Sequence, residues 1–183
     1  MSPLASIGIV AGHFCVNCGV PLEAVVREGR DLEACPRCDF VLWHDPKVVT
    51  MTVVQNERGE VVVGRRGIEP GYGLWCLPGG FVNDDEDPAD SAARECLEEI
   101  GATVEITGLL GVYHIRKREA PSMIGIGYRG RLQPGTTPSA GSEMLEVGAF
   151  PAEELPELAF PSHRQAMNDW LQSGEGYVAG VTR

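Results

Sequence analysis

The chain has 183 residues, 43% of them hydrophobic and 22% charged, which is the composition of an ordinary soluble protein with one good core and room for a small appendage. Its formal net charge of -11 argues against nucleic acid as a partner held chiefly through phosphates, because that mode needs a basic surface. The longest apolar run, Val48 to Val54, is broken by Thr50 and Thr52 and falls far short of the roughly 20 residues that span a bilayer, so no membrane partner is expected.

Residues 1–12 are mildly apolar but carry no Lys or Arg ahead of the apolar part, so they read as a flexible N-terminus and not as a signal peptide. The cysteines are therefore expected in the reducing cytoplasm, where thiols hold metal or stay free. Residues 13–45 are dense in Cys, Gly and short turns, as in a small module whose core is a metal. Cys15 and Cys18 form one Cys-x-x-Cys pair, Cys35 and Cys38 another, and sixteen residues separate them. That is the spacing of a zinc ribbon, and four thiolates leave no open coordination position, which points to structural Zn²⁺. The alternatives are two unrelated pairs or a redox disulfide. Arg27, Arg30 and Arg37 are outnumbered there by Glu23, Glu28, Asp31, Glu33 and Asp39. The module thus shows no basic stripe, and a scaffold or dimer contact suits it better than strand binding.

A second domain is expected over 46–172. Val48–Asn56 and Val61–Arg66 flank a short polar connection and read as a hairpin. The glycine-rich stretch from Gly71 to Gly80 reads as loop or tight turn. Asp87-Pro88 is a helix start, because Asp accepts the free N–H groups of the first turn and Pro is tolerated at the first helical position; the helix should run to Ile100, stopped by Gly101. Val104–Ile115, Met123–Leu132 and Glu146–Phe150 are further strand candidates, with a loop around 135–142. Ser162 is the expected cap of a last helix, His163–Leu171, with Ala166, Met167, Trp170 and Leu171 on its apolar face. Residues 173–183 read as a weakly ordered tail.

On the first of these helices Glu95, Glu98 and Glu99 stand at i, i+3 and i+4 and crowd onto one face. Each like-charged pair costs some tenths of a kcal/mol in a bare helix, and carboxylates in the last turn oppose the helix dipole by roughly 0.3–1 kcal/mol more. A divalent cation reverses that sign, since hard oxygen ligands on one face suit Mg²⁺ or Mn²⁺. In isolation the same pattern also fits a solvated acidic face. Ala92, Ala93, Cys96, Leu97 and Ile100 are suited to packing on a sheet.

The wider spacing decides between these readings. Gly80, Glu86, Arg94-Glu95, Glu98-Glu99 and Gly101 occupy every charged and glycine position of the Nudix box, G-x5-E-x7-R-E-U-x-E-E-x-G-U, where U is a bulky aliphatic. Cys96 and Ala102 depart from it at the two U positions. Trp75 to Gly80 resembles the W-x-L-P-G-G lead-in, and with the ribbon the chain is similar over nearly its whole length to zinc-ribbon Nudix hydrolases. The resemblance implies an α+β fold, a mixed β-sheet sandwiched between α-helices with the box helix packed on it, and a homodimer. It also implies metal-dependent hydrolysis of a pyrophosphate bond in a small-molecule nucleotide such as ADP-ribose or FAD. The S-Q-P-W-P-F-P-x-S element of NADH pyrophosphatases is absent.

Carried over residue by residue, the resemblance makes Glu95 and Glu99 metal ligands and Glu98 a ligand or water-orienting base. The Gly80 carbonyl completes the set, Arg94 orients the carboxylates, and Glu86 is a structural partner. The general base is sought on a loop, Glu143 before Glu146, although either also reads as a surface ion-pair partner. Arg65 and Arg66 are candidates to meet phosphate, and Tyr72, Trp75 and Tyr113 to stack a base; solvation or core packing is the bland reading of each. A nucleotide-sensing regulator without turnover and an NADH or nucleic-acid-cap pyrophosphohydrolase are the competing functions.

Overall fold

The computed structural model describes residues 12–116 and 122–173. The expected flexible start and the tail lie outside the described residues but for Gly12 and Ser173. The chain divides into two compact units, with the boundary between Asp45 and Pro46.

In the first unit, β1 (Glu23–Arg27), β2 (Arg30–Ala34) and β3 (Val41–Leu42) form an antiparallel sheet in that order. Glu28 and Gly29 join β1 to β2 with φ of 51° and 73°, the left-handed pair that matches the twist of a two-residue hairpin. Leu32, Ala34, Cys15 and Cys35 are its buried residues. An interior this small leaves the fold dependent on something other than apolar burial.

The second unit is built on a six-stranded mixed sheet. β4 (Lys47–Gln55) lies parallel to β8 (Met123–Leu132), whose other edge pairs antiparallel with β7 (Val104–Ile115). On its far side β4 meets β5 (Val61–Arg66) only at Val54↔Val62 and Gln55↔Val61, after which the two strands diverge. The wedge between them is filled by the chain from Trp75 to Val82. β6 (Trp75–Cys76) pairs with β5, and then the contacts switch to β4: Thr52 N–H donates to the Pro78 carbonyl at 2.9 Å and Thr50 N–H to the Gly80 carbonyl at 2.8 Å. β9 (Met144–Phe150) covers the outer edge of β5.

Helices cover both faces. α1 (Pro88–Ile100) begins and ends as the sequence predicts, with the Asp87 carboxylate accepting from Ala89 N–H and Gly101 left-handed at φ 59°. It lays Cys96 and Ile100 on Val54, Val62, Val104 and Leu132. The small Cys96 and Ala102 are fully buried there, which explains why this chain does without bulky aliphatics at those positions. Leu97, expected on the packed face, is 56% exposed, because the line that meets the sheet runs through Ala92, Cys96 and Ile100 and takes Glu99 with it. α2 (Pro161–Gln172) packs Ala166 and Met167 on Met51, Val53, Val61, Val63 and Leu77. It starts earlier than its expected Ser162 cap, because Pro161 takes the first helical position and Phe160 becomes the capping residue without a side-chain bond. Leu171 is exposed, not on the apolar face.

Candidate active site

The glycine turn is shaped by what must come near it. A Cβ on Gly79 would collide with the Thr50 carbonyl oxygen and stand 2.8 Å from Met51 Cα, so only glycine lets the turn lie against β4. A Cβ on Gly80 would lie 2.5 Å from Glu95 Cδ; the missing side chain is what admits the Glu95 carboxylate. Gly79 N–H donates to Glu99 Oε2 at 2.9 Å. Two box carboxylates are therefore seated on two consecutive glycines.

Arg94 organises the outer half of the same cluster. It grips Glu86 with two bonds, Nε to Oε2 at 3.0 Å and Nη2 to Oε1 at 2.7 Å. Its Nη1 donates to Glu95 Oε1 at 2.9 Å and to Glu98 Oε2 at 3.0 Å, and its Nη2 to the Phe81 carbonyl at 3.1 Å. The paired guanidinium holds the Glu86 carboxyl down at about 2. Glu98, whose side chain is 58% exposed, leans outward, so the three glutamates fan out instead of sharing one direction.

Glu99 is 5% exposed, and burial pushes its carboxyl up to about 8, with the like charge of Glu95 adding to the rise against the Gly79 N–H and Arg66. Burial also raises Glu95, and Glu98 and Glu143 repel it further. Two partly desolvated carboxylates that oppose each other's ionisation, backed by a peptide carbonyl at Gly80, are a hard-oxygen donor set that fits a divalent cation. Glu143, exposed on the turn before β9, acts electrostatically on both Glu95 and Glu99. Glu146 does not reach them: it lies within β9, paired with Arg65 Nη1 at 3.0 Å.

Beside the turn opens a cavity of about 410 Å³ whose walls include Gly79, Gly80, Arg66, Phe160 and His163. Arg66 is only 9% exposed. Its Nε donates to the Pro70 carbonyl at 2.7 Å and its guanidinium lies 5.0 Å from the centre of the Phe160 ring, yet it forms no ion pair among the described residues. A nearly buried guanidinium that faces a cavity, with Glu99 as its nearby carboxyl but no direct ion pair, is a place for a phosphate to bind. Arg65, bound to Glu146 and the Gly73 carbonyl, does not line the cavity. Trp75 packs edge-on against Phe150 at 5.2 Å, away from it. The buried Tyr113 contributes to the wall.

The sequence reading missed two contributions. Ser139 and Gly141, in what reads as a plain loop, donate their N–H groups to the Ile100 and Glu99 carbonyls at 2.9 Å each and so close the end of α1. His163, which reads as a helix residue only, accepts a bond from Leu77 N–H. Neither has a local signal, since each bond is made with a distant part of the chain.

In the ribbon, Sγ of Cys15 lies 3.5 Å from that of Cys38 and Sγ of Cys18 lies 3.4 Å from that of Cys35, with all four within 4.8 Å of one another. Tetrahedral ligands at the ~2.3 Å of a zinc–thiolate bond stand about 3.8 Å apart. The sulfurs are too far apart for disulfides, whose bond is about 2.05 Å. They fit a zinc ion.

An acidic helix closed on a glycine turn, beside a cavity that holds a nearly buried arginine, suits an enzyme that handles phosphate groups. The sequence matches the NUDIX domain over residues 45–171, and the chain belongs to the Nudix family of pyrophosphohydrolases. Among its relatives, it is 29% identical to the ADP-ribose pyrophosphatase of Methanocaldococcus jannaschii over 75% of this chain and 80% of the other. It is 26% identical to the NAD-capped RNA hydrolase NudC of Pseudomonas aeruginosa over 84% of this chain, though it spans only 54% of that protein. Among solved structures, a NUDIX hydrolase from Nitrosomonas europaea superposes with a TM-score of 0.77 at 30% identity, covering 91% of this chain and 94% of the other. Enzymes of this family use divalent metals. No helix among the described residues is long and apolar enough to cross a membrane.

Proposed function

We propose that the protein hydrolyses the pyrophosphate bond of a nucleoside diphosphate derivative of the ADP-ribose or FAD kind, giving two phosphomonoesters. The observation that carries this reading is the buried Glu99, seated on the N–H of Gly79, which with Gly80 lines a cavity that also holds the nearly buried Arg66. The relative named as an ADP-ribose pyrophosphatase supports the choice of substrate class.

Glu95, Glu99, the Gly80 carbonyl and Glu98 are the groups to hold Mg²⁺ or Mn²⁺. Such cations, when bound, neutralise the charge that builds on phosphate oxygens as the bond breaks. Arg94 gathers Glu95 and Glu98 and orients them, and Arg66 binds a phosphate of the substrate. Glu143 takes the proton of the attacking water. The water oxygen joins one phosphorus, the bridging P–O bond breaks, and the second phosphate leaves with the bridging oxygen. Cys15, Cys18, Cys35 and Cys38 hold structural Zn²⁺, forming a ribbon over residues 13–45 ahead of a catalytic domain over 46–172.

The test is turnover of ADP-ribose, FAD, NADH, diadenosine polyphosphates and nucleoside triphosphates with Mg²⁺ or Mn²⁺, with products identified. Hydrolysis of ADP-ribose or FAD to two monophosphates is expected. Preference for NADH or a capped RNA would transfer the assignment to the NudC-like reading, and tight binding without turnover would make the protein a sensor.

A further inference from the structure

The chain from Leu77 to Gly80 carries both glycines on which the carboxylates sit, so whatever fixes this turn also fixes Glu95 and Glu99. Three of its polar groups are held from within the sheet or by α1. The carbonyls of Pro78 and Gly80 bond to β4, Pro78 has no N–H, and the Gly79 N–H goes to Glu99. Leu77 is different. It sits where the chain leaves β5 and joins β4, and its N–H has no strand partner. The residue is fully buried, and an unpaired amide there is costly.

The bond comes instead from α2. Leu77 N–H donates to His163 Nδ1 at 3.1 Å, across 86 positions of sequence. Accepting at Nδ1 places the ring proton on Nε2, so the imidazole is neutral with a fixed tautomer. Burial and the nearby Arg66 hold it in that state, well below the usual histidine range at about 3. The ring is locked from the side as well: it meets Phe160 edge-on at 5.0 Å, and Phe160 in turn lies under the Arg66 guanidinium. Arg66, Phe160, His163 and Leu77 thus make one packed chain of contacts from the cavity to the turn.

We infer that His163 is a positioning residue for the cation site, acting through Leu77 to hold Gly79 and Gly80 where Glu99 and Glu95 need them. It touches none of the carboxylates, and its effect passes through the backbone of two residues. This rests on the proposed assignment of those carboxylates as cation ligands.

Three variants of the zinc-loaded protein test it. His163→Phe keeps the ring and removes the acceptor. His163→Asn offers an amide oxygen close to the place of Nδ1, and His163→Gln offers one displaced by a methylene. Mn²⁺ binding is read from the loss of the free-ion electron paramagnetic resonance signal, without substrate. Groups that orient a metal's ligands change affinity by about 10–100-fold when removed. His163→Phe should weaken Mn²⁺ binding about tenfold or more, His163→Asn should recover the larger part, and His163→Gln should fall between. In turnover, kcat and the Mn²⁺ requirement should change together while KM for the nucleotide moves little.

Native Mn²⁺ affinity in His163→Phe overturns the inference, even if its melting temperature falls, for that is a purely structural role. So does a change confined to the nucleotide KM, which would make His163 a substrate contact. If His163→Phe does not fold, native affinity in His163→Gln overturns it equally. A native protein that binds Mn²⁺ but splits no nucleotide would sink the substrate assignment alone, and one that binds no Mn²⁺ would sink the cation site on which both rest.

Discussion

Replacing Glu99 by Gln isolates the most perturbed carboxyl of the site, because Gln keeps the shape and the acceptor for Gly79 N–H but cannot ionise. In the folded chain Glu99 holds its proton up to about pH 8, against an ordinary 4.5. The folded state therefore carries more protons than the unfolded state between those values, and without a divalent cation the native protein loses stability as pH rises through that window. At about 1.36 kcal/mol per pH unit the loss amounts to at most ~5 kcal/mol. Urea unfolding at pH 5, 7 and 9, with zinc retained and no other divalent ion, measures it. The Gln variant should gain on the native chain by several kcal/mol from pH 5 to pH 9, and Mg²⁺ at pH 9 should stabilise the native chain alone. A stability difference that stays constant with pH would refute the reasoning that Glu99 is forced to ionise in a buried place.

Gly80→Ala puts a methyl group against Glu95 Cδ; it should cost about 1–3 kcal/mol in thermal unfolding and lower turnover well beyond what that loss explains. Arg66→Met removes one charge-assisted contact worth about 1.5–3 kcal/mol, so KM for the nucleotide should rise roughly 10–100-fold in steady-state assays. Elemental analysis should find one zinc per chain, and Cys35→Ser should lose most of it, with circular dichroism reporting the loss of order in the first unit.

The parts legible in sequence are those whose cause is local. α1 was bounded by Asp87-Pro88 and Gly101 because a cap, a proline and a left-handed glycine act within one turn of the helix. Strands β4 and β5 follow from β-branched runs, and the cysteine quartet from its spacing. What escaped depends on contacts between remote segments. The insertion of Trp75 to Val82 between β5 and β4 leaves no mark in the glycine-rich stretch itself. Arg65 and Arg66 are adjacent and alike in sequence; only the fold sends one to Glu146 and the other over Phe160 into the cavity. Glu143 and Glu146 part in the same way, the first near Glu95 and Glu99 and the second locked into β9. Glu95 and Glu98 meet on one nitrogen of Arg94, as their spacing on the helix suggests, while the sheet takes Glu99 into a buried place that the spacing does not show.

The most direct test of the account is the rate at which ADP-ribose is split in Mg²⁺ at neutral pH by the native chain and by Glu99→Gln, with both shown to be folded and zinc-loaded. AMP and ribose phosphate are expected from the native chain, with a fall on the order of 10²–10³-fold in kcat for the variant. Equal rates in the two proteins would contradict it, since the chemistry would then lie elsewhere than on the buried carboxylate at the glycine turn.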